Sequence, residues 1–228
     1  MTTVASRFAL AFQVRDFRHL LLSDSATLSA EHMEFLVLAW FILQETESPF
    51  LLGLYGALRY MGTLFSPFYG ILVDKYDRTR LLKILRATLT GFALLLLLLV
   101  STGILNVWHV FILVGVAGMA RAFDNVVRQT LTPDVVPRAW ISNAVALTIT
   151  GRNMTQILGP IVAGLLLTQF GMSWSYIAIV GLYLIGTITA TRLETRPRVR
   201  PTFDTGSVVT DMKRTLAYVR KEEVVLGL

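Results

Sequence analysis

The sequence predicts an all-α membrane protein, and three observations carry that prediction. Six runs of about 20 mostly apolar residues follow one another, each long enough to cross a hydrocarbon core of roughly 30 Å. Only 16% of the residues are charged and 54% are hydrophobic, with a mean hydropathy of +0.61; a soluble domain carries about 25% charged residues. Lys and Arg are confined to particular connecting segments, which is a topology signal. The net charge of +6 therefore speaks for membrane orientation rather than for nucleic acid. With no cysteine there is no disulfide framework and no thiolate metal site.

The elements follow in order. Residues 1–19 read as a cytoplasmic segment, and no small-residue cleavage site follows Arg7, Arg15 and Arg18, so no cleavable signal peptide is expected. The spans are predicted at about 20–43, 51–73, 82–102, 107–127, 142–167 and 172–191, together a 20–191 bundle. The third is the plainest, with leucine at every position from Leu94 to Leu99. There is too little polar sequence to cover six such helices in a soluble core. The turn after the first span carries Glu45 and Glu47 and no Lys or Arg, and the turns at 101–106 and 168–171 also have none. Opposite them lie Lys75, Arg78, Arg80, Lys83 and Arg86, then Arg128 and Arg138, then Arg192, Arg196, Arg198 and Arg200. The positive-inside rule then places both ends of the bundle in the cytoplasm, at an inner or plasma membrane. Residues 192–223 read as a cytoplasmic connector whose part from 207 on is an amphipathic helix, with Val208, Val209, Met212, Leu216 and Val219 on one face. Residues 224–228 read as the start of a seventh span.

Polar residues inside the spans are unevenly placed. The first span holds Asp24, Glu31, His32 and Glu34. At 100° per residue Asp24 and Glu31 differ by about 20° and Glu31 and Glu34 by about 60°, so the acids form one stripe with Thr27 between them. Charges in a bilayer are costly and face a cavity or a partner, and three acids on one face point to function. Glu34 and Arg59 of the second span both lie about 12–14 Å from the outer end, which predicts an ion pair. Arg121 and Asp124 in the fourth span, and Arg152, Asn153 and Gln156 in the fifth, fit either interhelical hydrogen bonds or substrate and proton roles. Ser66-Pro67 and Gly159-Pro160 are expected to kink or thin their helices, and Gly159, Ala163 and Gly164 to give a small face for close helix contact. No phosphate-binding loop, zinc-protease motif or nucleophile elbow is present, and no enzyme activity, cofactor or metal is expected.

The turn Gly70-x-Leu72-x-Asp74-Lys75-x-x-Arg78-x-Arg80 resembles the signature loop between the second and third spans of the major facilitator superfamily. More narrowly, the chain is similar to its enterobactin and macrolide exporter subgroup. The matching stretches are Phe17-Arg18-x-Leu20, Leu38-Ala39-Trp40 ahead of Ser48-Pro49, Gly56 to Arg59, and Ser66-Pro67-Phe68. Ala120 to Asp124, Arg128-Gln129, Pro133 to Pro137, Asn143 to Leu147, and Gly159-Pro160 with Ala163-Gly164 complete them. Asp77 stands where the wider superfamily has glycine. The resemblance implies an N-terminal six-helix bundle made of a 3+3 inverted repeat, which rocks against a second bundle. It implies that the first and fourth spans line the cavity and the third and sixth face lipid. It implies that Asp74 latches the two bundles and that Arg78 pairs with an acid of the fourth span, for which Asp124 is the candidate. The stretch from Gly159 through Pro160 to Gly164 is similar to the fifth-helix signature of proton-exchanging exporters. The expected function is proton-coupled efflux of a small organic compound, a drug or siderophore, with Glu31 and Glu34 as proton carriers. The expected partners are that substrate, protons, lipid and a second six-helix half. The alternative is a truncated, non-transporting membrane protein or a half-bundle that binds a partner.

Overall fold

A computed structural model of the chain describes residues 11–194. The segment 1–10, the connector beyond residue 194, the expected amphipathic helix and the stretch 224–228 lie outside the described residues. Every regular element among the described residues is helical: α1 (Arg15–Thr46), α2 (Pro49–Met61), α3 (Ser66–Lys75), α4 (Arg78–Ser101), α5 (Val107–Val135) and α6 (Ile141–Thr191), with short 3-10 turns at Ala11–Gln13, Gly62–Phe65 and Arg138–Trp140.

Local chemistry sets the helix starts. Ser48 Oγ accepts from the Leu51 amide at 3.4 Å with Pro49 in the first turn, where its missing N–H costs nothing. Asp77 Oδ1 accepts from the Arg80 amide at 2.7 Å and so caps α4. Asn106 and His109 form a reciprocal capping box at the start of α5. The Glu47 backbone, left-handed at φ 50°, closes α1.

Among the described residues, four helices are long and apolar enough to cross a membrane: α1, α4, α5 and the run Arg138–Thr191. The second predicted span is not one helix. It tightens into the 3-10 turn Gly62–Phe65 and restarts at Ser66, because Pro67 has no amide to continue the ladder. α5 does not stop at residue 127 but runs on to Val135 through Pro133, so Arg128, expected in a loop, is a buried helical residue. The fifth and sixth predicted spans share α6, in which Gly171 alone leaves helical conformation (φ 81°, ψ −178°). The helix continues through Pro160, so the break falls at the glycine, which tolerates that φ, and not at the proline.

The two arms of α6 run in opposite directions along α1. In the first arm, Gly151 faces Leu21 and Ser25, Gly159 faces Ser29 and His32, and Gly164 faces Leu36. In the second, Tyr183 reaches Glu34 while Gly186, further on, lies against Ser23 and Thr27. α1 is therefore the central helix, with Met33, Val37, Leu38 and Ile42 in one core with Tyr55, Leu89, Val114, Tyr176 and Ile179. The end of α2 and the 3-10 turn after it touch α5 through backbone, Leu58 and Arg59 at Gly118 and Gly62 at Gly118 and Met119. The exposed face of α4 is uncharged from Ile84 to Leu98, as is that of the second arm of α6 from Ser173 to Ile188.

Candidate functional site

The α1 stripe organises two buried charge nodes. The first centres on Arg86, 1% exposed, two turns into α4. Its guanidinium donates to Asp24 and Ser23 of α1 and, through Nε at 3.3 Å, to Asp124 of α5. Ser23 in turn donates to the Gly186 carbonyl at 2.5 Å. Arg128, also buried, donates to Asn125 Oδ1 at 2.7 Å and lies within electrostatic reach of Asp24. Two arginines and two aspartates thus balance in an environment where a lone charge is strongly unfavourable.

The second node lies further along α1. Glu34, 1% exposed, accepts from Arg121 Nη2 at 2.5 Å and from the Tyr183 hydroxyl at 2.8 Å. Arg59 does not meet Glu34. Its Nη2 donates to the Glu31 carbonyl at 3.1 Å, and its guanidinium lies over the Phe35 ring, 5.1 Å from the centroid. Equal depth in the bilayer puts Glu34 and Arg59 on one level, but rotation about the helix axis decides the partner. The Glu31 side chain is half-buried and takes no hydrogen bond among the described residues, with Arg121 and Arg59 both within electrostatic reach. Again two arginines and two carboxylates balance.

The charged turn forms a third, shallower cluster. Arg78 Nη1 donates to Asp134 Oδ2 at 2.6 Å and to the Thr130 carbonyl at 3.1 Å, while Nη2 reaches Asp74 at 3.4 Å. Arg78 does not pair with Asp124. Antiparallel packing of α4 on α5 brings Arg78 to Asp134, about 15 Å along α5 from Asp124, and Asp124 is held by Arg86. Asp74 is exposed, Gly70 is half-buried on α3, and Arg80 is exposed. Arg152, Asn153 and Gln156 are all exposed on the first arm of α6, whereas Thr155 and Gly159 beside them face inward. They do not join the α1 stripe. Pro160 is half-buried, and Gly164 meets Leu36.

A profile of the Major Facilitator Superfamily matches residues 28–226. The chain belongs to that superfamily. Relatives include the staphyloferrin A transporter of Staphylococcus aureus, 26% identical over 66% of this chain and 38% of the relative. Macrolide efflux protein A of Streptococcus pyogenes is 22% identical over 68% and 38%. Enterobactin exporter EntS of Shigella boydii is 29% identical over 68% and 37%. In each comparison the matched part spans well under half of the curated relative.

As a Major Facilitator Superfamily member with long apolar helices, the chain is a multi-pass membrane protein. Three residues of these charge clusters escape a reading of spans alone. Arg86 counts there as a loop cation, yet with Asp77 capping α4 it falls on the same face as Leu82, Leu89 and Thr90, which is a buried face. Tyr183 has an apolar body that hides its hydroxyl among aliphatic neighbours. Asp134 follows Pro133, which looks like a helix end.

Proposed function

We propose that this chain forms the N-terminal six-crossing bundle of a proton-linked exporter of small organic compounds. The observation that carries the reading is Glu31, a half-buried carboxylate without a hydrogen bond among the described residues, beside the fixed Glu34–Arg121 pair on a membrane-crossing helix. Intramembrane carboxylates of this kind mark ion and proton paths. Glu34 has two donors and serves as the anchor, whereas Glu31 is free to take up and release a proton.

Six crossings follow if α2 and α3 together make the second and the two arms of α6 make the fifth and sixth. The opposed directions of those arms along α1 support this, as does the length of α6: a straight helix of 51 residues would extend about 77 Å, far beyond the bilayer. The cationic turn at Lys75 to Lys83 and the acidic turn at Glu45 and Glu47 support cytoplasmic ends. The exposed Arg152, Asn153 and Gln156 fit a face turned to an aqueous cavity or a second bundle rather than to lipid. Asp74, exposed and with Arg78 as its one ion-pair partner among the described residues, would reach that second bundle and lock one state. Export rather than uptake is favoured by the likeness to a macrolide efflux protein and an enterobactin exporter.

The test uses everted membrane vesicles carrying the complete transporter and a panel of aromatic and macrocyclic compounds. Accumulation should need an imposed pH gradient and should vanish when Glu31 and Glu34 are both replaced by Gln. Undiminished, gradient-driven accumulation in the double variant would refute the assignment.

A further inference from the structure

A cavity of about 290 Å³ lies away from both charge nodes, at the opposite end of the bundle from the cationic turn. Glu45 in the last turn of α1 and Leu51 in the first turn of α2 form part of its wall. Leu105, Asn106, Trp108 and Phe111, at the start of α5, form the rest. Glu45 stands about 16 Å along α1 from Glu34. The cavity is close to the lower end of the range for small-molecule pockets, so it suits one small compound. Its rim is made of closed turns. The Glu47 backbone ends α1, Ser48 caps α2, and the Asn106–His109 box caps α5. The Leu105 amide donates back to the Leu99 carbonyl at 3.1 Å. A rim fixed in this way needs little ordering when a ligand arrives.

The charge at the rim is negative. Glu45 is exposed, and its carboxylate has no hydrogen bond or ion pair among the described residues. The turns 44–49 and 101–106 contain no Lys or Arg to neutralise it. The carbonyl end of α1 adds partial negative charge beside it. The amide end of α5 is used internally, since Asn106 Oδ1 accepts from the Trp108 amide at 3.2 Å and His109 Nδ1 from the Asn106 amide at 3.3 Å. Two rings line the cavity opposite the acid. Trp108, 66% exposed, and Phe111, which is buried, meet edge to face with centroids 5.8 Å apart and planes at 80°. A ring face attracts a cation, and indole does so best.

We propose that this cavity binds a small organic ammonium compound from solution, with its cation between the Glu45 carboxylate and the Trp108 ring and its apolar groups against Leu51, Leu105 and Phe111. The site is separate from Glu31, Glu34 and their arginines, and it does not depend on the proton-linked reading. An anion would be repelled by Glu45. An uncharged compound fills the apolar part and leaves the carboxylate without a counter-charge. A divalent metal ion would find one carboxylate and an amide oxygen already engaged in capping, too few oxygen ligands for calcium. The ethanolamine headgroup of a phospholipid carries the same chemistry as a free amine, and the test separates the two sources.

Choline and dimethylbutanol, its uncharged analogue with carbon in place of nitrogen, are the probes. Equilibrium dialysis against the full chain in uncharged maltoside micelles, at physiological salt to screen distant charges, is the measurement. Choline should bind at least ten-fold tighter than dimethylbutanol. Glu45→Gln should erase that preference. Trp108→Leu should weaken choline several-fold, and Trp108→Tyr should restore part of the loss. Glu47→Gln removes the same charge from the same turn but outside the cavity, and should change choline affinity less than two-fold. Free ethanolamine should displace choline, whereas phosphatidylethanolamine added to the micelles should not. Equal binding of the two probes, or binding of neither, overturns the proposal. So does a loss in Glu47→Gln as large as in Glu45→Gln, which would mean diffuse surface charge. Displacement by phosphatidylethanolamine overturns it in favour of a lipid headgroup. Glu45 and Trp108 are exposed, so the unfolding midpoint should hold in their variants. Should Trp108→Leu shift it, Glu45→Gln decides alone, and an unaltered preference counts against the site.

Discussion

Arg121 of α5 and Glu34 of α1 are 87 residues apart in sequence and meet at 2.5 Å. The pair is buried on both sides, and Tyr183 adds its hydroxyl from the second arm of α6. Three helices are thus joined through one carboxylate, whose second donor is a phenol that cannot itself balance the charge.

Tyr183→Phe removes that phenol and leaves Glu34 with Arg121 alone. A buried hydrogen bond to a charged group contributes about 1.5–3 kcal/mol, and a loss of that size is expected in denaturant titrations of the reconstituted chain. Tyr176 gives the contrast. Its hydroxyl is buried without a partner among the described residues, so Tyr176→Phe should leave stability unchanged or slightly raise it.

Arg86 is the keystone of the first node. Arg86→Met leaves Asp24 and Asp124 buried without their shared cation, which should cost about 3–5 kcal/mol. Arg86→Lys should recover little, because one ammonium cannot reproduce the directed donors that reach Ser23, Asp24 and Asp124. Adding Asp124→Asn to Arg86→Met should recover most of the loss, since Asp24 then balances Arg128 and no uncompensated carboxylate remains. Unfolding midpoints of the three variants check this.

A double-mutant cycle separates the observed latch contact from the expected one. Arg78 and Asp134 are partly exposed, so their coupling should be modest, about 0.5–1 kcal/mol. Arg78 with Asp124 should show none. Charge exchange at Arg78 and Asp134 should restore what either reversal removes.

Gly62, just past the end of α2, is packed tightly on the α5 backbone. A Cβ there would stand 2.7 Å from the Met119 Cα and 2.8 Å from the Gly118 carbonyl carbon, which are backbone atoms that cannot rotate away. Gly62→Ala must push the helices apart and should lower stability by about 1–3 kcal/mol. Gly53→Ala and Gly56→Ala, with nothing within 4 Å of the added carbon, should be neutral or stabilise by at most about 1 kcal/mol. Thermal unfolding of the three variants makes the comparison.

The sequence shows where the apolar runs lie, because burial in lipid imposes a length that composition reveals directly. It shows the acid stripe of α1 for the same reason, since helical spacing fixes which residues share a face. Pairing is harder to see. Glu34 and Arg59 sit at one depth, yet their helices are rotated so that Arg59 meets the Glu31 carbonyl and Phe35 instead. Arg78 and Asp124 share a motif, yet antiparallel register gives Asp134 to one and Arg86 to the other. Pro67 opens a new helix after a 3-10 turn, whereas the helix runs on through Pro160, inside an arm packed on α1. Depth and face are properties of a single helix, whereas pairing belongs to two.

Proton movement coupled to compound movement tests the central claim most directly. In everted vesicles that hold the complete transporter and a trapped pH dye, adding a transported compound should discharge the pH gradient. Glu31→Gln alone should abolish that discharge. A discharge of unchanged rate in Glu31→Gln, or transport by the unaltered protein with no proton movement, would contradict the account.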